Sequence, residues 1–215
     1  MLLVCLLFAC SSVRRVRPLE SGASAITVSL GGPITEVAKK YIPLPLLSAG
    51  YNYGINNRLG IEAGLNLTSA LFGLLHVDAG VNWYPLSANG AIPGITVTPK
   101  LLIISNFETG GHRLYPTLTP TLYWDIKRHF VYTGVENWFE IHTERSDGNE
   151  QSHHWLVAPY IGYGYTWKKW QFQLEARGYT PNLENTGRAT KNIGFGDHGI
   201  IGVFLGVGRT IGGGR

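Results

Sequence analysis

The chain has 215 residues and a formal net charge of +4, with only 15% charged residues but 28 glycines, 11 tyrosines and 6 tryptophans. Its two cysteines, Cys5 and Cys10, both stand in the first ten residues, so the body can hold neither a disulfide nor a cysteine-ligated metal. The cations are scattered through turns rather than clustered with stacking aromatics, which argues against nucleic acid as a partner. No apolar run reaches the roughly 18 residues of a membrane-spanning helix.

The first element is Leu7-Phe8-Ala9-Cys10, a short apolar run closed by a small residue and a cysteine. It resembles the lipobox read by lipoprotein signal peptidase. The resemblance implies that residues 1–10 hold a leader and that Cys10 is the lipidated residue. Next comes a polar stretch, 11–24, expected to be a periplasmic linker. Its basic run Arg14, Arg15 and Arg17 is expected either to stay in solvent or to touch anionic headgroups.

From residue 25 onward apolar residues recur every second position. Leu59, Ile61, Ala63, Leu65 and Leu67 alternate with Gly60, Glu62, Gly64 and Asn66. Leu75, Val77, Ala79, Val81 and Trp83 alternate with His76, Asp78, Gly80 and Asn82. The same period continues through 114–123, 170–177 and 201–208. The apolar face is almost free of charge, and the charged residues share the other face with glycines. A water-facing exterior does not explain that arrangement; a lipid-facing exterior around a polar bore does. The pattern therefore predicts an all-β fold, a closed antiparallel up-and-down transmembrane β-barrel spanning 25–211. About ten strands are expected, with eight as the smaller alternative: 25–32, 45–54, 59–68, 73–83, 95–105, 113–124, 130–142, 154–166, 170–179 and 199–210.

The connections supply an orientation, because barrels of this kind keep their periplasmic turns short. With a periplasmic N-terminus, Asn56-Asn57, 84–94, Ile126 to His129 and Lys168-Lys169 face the periplasm. The stretches 33–44, Thr68 to Phe72, 106–112, Glu144 to His153 and Pro181 to His198 then face outward. Tyr51, Tyr53, Trp83, Tyr84, Tyr123, Trp124, Phe130, Tyr132, Tyr165, Trp167, Trp170 and Phe172 gather at the periplasmic ends. They are expected to form a girdle at headgroup level.

Gly50-Tyr-Asn-Tyr-Gly54, Asn56-Asn57-Arg58, Gly64-Leu-Asn-Leu67, Asp78-Ala-Gly-Val81, Trp83-Tyr84-Pro85 and the closing Gly199 to Gly208 resemble phrases of the small Gram-negative outer-membrane β-barrel proteins. The resemblance implies a monomer in the cell outer membrane. Its partners would be outer-membrane lipids, lipopolysaccharide and the barrel-assembly machinery.

The inner face should carry Glu62, His76, Asp78, Lys100, Glu136, Glu140, Glu175 and Arg177 as a polar network, with His142 beside Glu140. Buried charges must pair, so Lys100 and Arg177 are expected to offset the carboxylates. His76 with Asp78, or Glu140 with His142, could instead work as acid and base. No serine accompanies them in the His-x-Ser arrangement of outer-membrane lipid A deacylases. His142, His153 and His154 lack the fixed spacing of a zinc site, and no cofactor or metal is expected. Pro99, Pro116, Pro120 and Pro159 fall inside strands, where proline cannot donate to the ladder. Pro116 and Pro120 share one parity on one strand and would loosen a single seam, a possible lateral route for lipid. The expected role is structural, surface-binding or that of a minor channel; the alternatives are a lipid-acting enzyme and, third, a soluble lipocalin-like binder.

Overall fold

The computed structural model describes residues 13–144, 150–184 and 191–213. Cys5 and Cys10 lie outside the described residues. Within them the chain forms β1 (Ser24–Val37), β2 (Lys40–Pro43), β3 (Leu46–Asn56), β4 (Leu59–Asn66), α1 (Leu67–Leu71), β5 (Leu74–Leu86) and β6 (Gly94–Asn106). These are followed by β7 (His112–Ile126), β8 (His129–Phe139), β9 (Trp155–Trp167), β10 (Trp170–Glu184) and β11 (His198–Ile211). Ten strands pair antiparallel in chain order, and β11 returns to β1 from Ser24↔Ile211 to Pro33↔Gly202, which closes the ring. Closure leaves no sheet edge, the condition for a β-structure in hydrocarbon. β2 stands outside the ring as a short hairpin on the end of β1, from Ile34↔Pro43 to Val37↔Lys40.

One end of the barrel has the tight connections. β7 and β8 are joined through Lys127-Arg128, and β9 and β10 through Lys168-Lys169. Lys127 and Lys168 hold φ of 59° and 55°, the left-handed conformation that opens a two-residue hairpin turn. The stretch expected as a long inward loop, 84–94, is shortened at both ends, because β5 runs on to Leu86 and β6 begins at Gly94, and Asn89 bridges Ile92 between them. At the opposite end, the one expected to face outward, lie β2, the long connections and α1. The apolar stretch Thr68 to Phe72 is thus a helical turn rather than an open loop, capped by Asn66, whose side chain accepts from the Ser69 amide.

The exterior is inverted relative to a water-soluble barrel. Ile161 and Leu205 are 64% and 58% exposed, while Glu136 and Glu175 on the opposite face are each 2% exposed. The exposed band continues through Val28, Leu47, Ile61, Val81, Leu101, Leu118, Val131 and Leu174, with the charges confined to the strand ends. Water would not stabilise such a surface, and the lipocalin-like alternative fails on it. The molecule is a closed β-barrel with the apolar exterior of a membrane-spanning one.

The girdle is smaller than the sequence predicts. Tyr51, Trp83, Trp167, Trp170 and Phe172 face outward, but Tyr84, Tyr123, Phe130 and Tyr132 turn into the bore and are buried. Strand parity decides this: Tyr123 shares its face with Thr121, Thr119 and Thr117, all buried.

What these inward rings pack against is residues 13–23, the stretch read from sequence as a polar linker. Val13, Val16, Leu19 and Ala23 recur at about every third position and are all buried. The segment runs up the bore from the turn end. Ala23 and Leu19 pack with Ala25, Val16 with Tyr123, Phe130, Tyr132 and Tyr160, and Val13 with Ala158, Tyr179, Ile200 and Phe204. A ten-stranded wall encloses more space than its own side chains fill. These residues occupy the remainder, and a mid-bore void of only about 30 Å³ is left beside them.

Candidate functional site

The centre of the bore is an ion-pair network strung across the barrel. β6 delivers Lys100, whose Nζ lies 2.7 Å from Glu136 Oε1 on β8 and 4.0 Å from Glu62 Oε1 on β4. β10 delivers Arg177, which reaches Glu136 Oε2 at 2.5 Å and Glu175 Oε1 at 2.9 Å. The Arg177 guanidinium also lies 4.8 Å from the Tyr160 ring centre, a cation–π contact. Tyr132 donates to Glu175 Oε2 at 3.1 Å and accepts from Gln173 at 3.2 Å. The structure thus brings Glu62, Lys100, Glu136, Glu175 and Arg177 into one cluster. His76 is buried on the same face as Asp78, two residues away, but Asp78 pairs with Arg14 of the N-terminal segment.

That pairing has a local cause. Gly50 and Gly64 face inward on adjacent strands and are register partners. A Cβ at either position would overlap the Arg14 guanidinium, so the two glycines form its seat. The rest of 13–19 is held by side chains as well. Gln173 donates to the Arg14 carbonyl at 3.1 Å, and Thr96 to the Val16 carbonyl at 2.7 Å. Arg17 bonds Thr166, lies 3.0 Å from Asp125 and covers the Phe130 ring at 4.2 Å. The sequence offered one cue that the linker reading passed over: Val13, Val16 and Leu19 are spaced as an apolar stripe between the arginines.

Glu140 and His142 sit apart from this network, at the outer rim. Glu140 Oε1 accepts from the His142 amide at 2.9 Å and lies 2.8 Å from its Nδ1, while Arg113 approaches Oε2 at 3.5 Å. His154 bonds the Glu140 carbonyl through Nδ1 at 2.8 Å, and His153 is exposed. Glu140 edges a cavity of about 130 Å³ lined also by Tyr115, Trp138, Leu156, Val157, Ala158, Tyr179 and Thr180. Ala158 and Tyr179 separate the cavity from Val13 below.

The wall beside that cavity is discontinuous. β7 pairs with β6 residue by residue from Gly94↔Tyr123 to Ser105↔His112, through both Pro116 and Pro120. Against β8 the ladder has no pair between Leu118↔Asn137 and Thr121↔Gly134, and its last outer pair is Thr117↔Trp138. Above that level β8 stays with β9, through Phe139↔Trp155 and the Glu140 amide bonded to His154, and so leaves β7. Asn137 partly fills the lower break: its amide donates to the carbonyls of Leu118 (3.0 Å) and Val135 (3.3 Å), and its oxygen accepts from Trp155 (3.1 Å). A similar break opens at Pro99, where β5 and β6 pair at Gly80↔Lys100 and next at Trp83↔Val97.

No protein-family model matches the sequence, and no curated protein does either. Among solved structures the barrel is similar to an outer-membrane channel of Pseudomonas putida F1, at 11% identity and a TM-score of 0.43, covering 94% of this chain and 100% of that one. It is also similar to the outer-membrane protein OprG of Pseudomonas aeruginosa (10% identity, TM-score 0.30, 93% of this chain and 100% of that one). A third is Ail, the attachment invasion locus protein of Yersinia pestis (10% identity, TM-score 0.29, 89% and 99%). These likenesses are of architecture alone.

Proposed function

We propose that the protein is a minor channel of the outer membrane, held shut by its own N-terminal segment. The observation that supports this reading is the charge count of the bore. Four carboxylates, Glu62, Asp78, Glu136 and Glu175, face two strand cations, Lys100 and Arg177; Arg14 and Arg15, carried on the segment, bring the balance to zero. Above Gly22 and Ala23, whose backbones bond Gly54, the segment is held by side chains rather than by a ladder, and 13–19 can leave without unzipping the wall. With it gone, two cations against four carboxylates leave a net −2, and the bore favours cations. On this reading outer-membrane lipids and lipopolysaccharide surround the apolar belt, and the barrel-assembly machinery inserts a monomer.

Planar-bilayer conductance tests the reading. The native protein should stay closed for most of a recording. Arg14→Ala with Arg15→Ala should raise the open fraction about tenfold, the equivalent of about 1.4 kcal/mol, with cations preferred. A double variant that folds and conducts no more than the native protein would overturn the proposal.

A second reading, a lipid-acting enzyme, has one observation in its favour. Glu140 orients His142 at 2.8 Å on the outer rim, next to the break in the wall, as a carboxylate orients an imidazole base. Lipid A masses from a deletion strain and its parent decide it, and identical spectra would sink it.

A further inference from the structure

The cavity at the outer rim and the break between β7 and β8 belong to one piece of wall. Tyr115 of β7, Trp138 of β8 and Glu140 just past the end of β8 line the cavity, and Thr117↔Trp138 is the last pair holding those strands together. From His112 to Pro116, β7 has no ladder partner on that side, and the bridging there is by Arg113, to Glu140 at 3.5 Å and to the Glu144 carbonyl at 2.8 Å. Pro116 and Pro120 lack the N–H groups that could extend the ladder, so the separation is written into the chain. Outside the break lies the apolar belt, here Leu118 and Phe139. Below the cavity the bore is closed by Val13 and its packing partners.

We infer that this cavity is a binding site for a small single-ring apolar molecule, which exchanges with the outer leaflet sideways through the β7–β8 break. The size fits one ring: the space is about 130 Å³, and a dry apolar cavity of about 150 Å³ takes benzene. The lining fits a ring too. Tyr115, Trp138 and Tyr179 offer aromatic faces and edges, Leu156, Val157 and Ala158 fill the gaps between them, and Tyr115 and Trp138 already meet at 5.8 Å and 53°. The single carboxylate at the margin, Glu140, can accept from a hydroxyl, and no cation lines the cavity to receive an anion. Phenols and single-ring hydrocarbons are therefore the class, and aromatic carboxylates are excluded. With the bore shut beneath, a molecule that is poorly soluble in water has its easiest exit through the wall. The inference stands apart from the channel reading and survives its failure.

The test uses the full chain in lipid nanodiscs, with 4-fluorophenol as the probe and 4-fluorobenzoate as its control, followed by fluorine NMR. The native protein should broaden and shift the phenol signal and leave the benzoate signal unchanged. Ala158→Phe fills the cavity and should abolish the effect; Leu156→Trp fills it from the neighbouring position should the first variant misfold. No effect of the native protein, or an equal effect of a folded cavity-filled variant, would overturn the site. The sideways route is read separately. Pro116→Val with Pro120→Val restores two ladder donors, and should slow exchange of the probe several-fold while leaving its affinity unchanged. Unchanged exchange would overturn the route and leave the site standing.

Discussion

Lys100 carries much of the bore's order, because one ammonium group serves carboxylates from two other strands. Lys100→Met keeps the side-chain volume but leaves Glu62 and Glu136 in a site where each is at most 4% exposed. Removing one partner of a buried pair costs about 3–5 kcal/mol. A loss of that size is expected in urea unfolding from lipid vesicles, and Lys100→Met with Glu136→Gln should recover part of it. An unchanged midpoint in the single variant would mean that water reaches the pair. Gly64→Val acts on the segment instead of the wall: it blocks the Arg14 seat, and should open the channel as the arginine variant does while the barrel keeps its stability. At this scale the sequence is legible where a charge falls on the polar face of an apolar alternation, as Glu62, Lys100, Glu136, Glu175 and Arg177 all do. It is not legible for Arg14, whose partner Asp78 lies 64 positions away and is reached through a segment with no strand period.

Among elements, β7 is the informative one. One of its seams is complete and the other is broken, and the difference follows from two prolines of the same parity. Amide exchange of the protein in micelles should show the amides of β7 that face β6 protected, and that of Val135, which faces the break, exchanging faster than those of its neighbours on β8 that face β9. Equal protection along both seams would contradict the break. The ten strands of the ring were legible, since period two survives along each, but β2 and the outer end of β1 fell within the stretch 33–44 expected as a loop. Strand limits were less so: β8 ends at Phe139 rather than 142 because the Glu140 amide turns to His154 and its carboxylate to His142. The inward turn of Tyr84, Tyr123, Phe130 and Tyr132 was legible in their parity, but what they pack against was not. An aromatic ring at a strand end suits a headgroup on one parity and a plug on the other, and the plug, residues 13–23, carries no strand period.

For the molecule as a whole, closure predicts that an unheated sample runs ahead of the boiled 23.6 kDa chain on a gel, as a single band at any protein concentration. A band that does not shift on heating would contradict a closed barrel, and a larger species at high concentration would contradict a monomer. The turn end is basic, with Arg58, Lys127, Arg128, Lys168, Lys169 and Arg209 all exposed around Trp83, Trp167 and Trp170. Neutralising Lys127, Arg128, Lys168 and Lys169 together should slow insertion into vesicles containing phosphatidylglycerol more than into neutral ones, since each such cation contributes about 1 kcal/mol at an anionic surface. Finally, the seat of Val13 sets a length. Val13 lies against Gly206, five residues up β11 from its end at Ile211, or about 12 Å above the turn end along a tilted strand. On the channel reading, opening therefore means drawing Val13 and Arg14 back along the bore by about that distance.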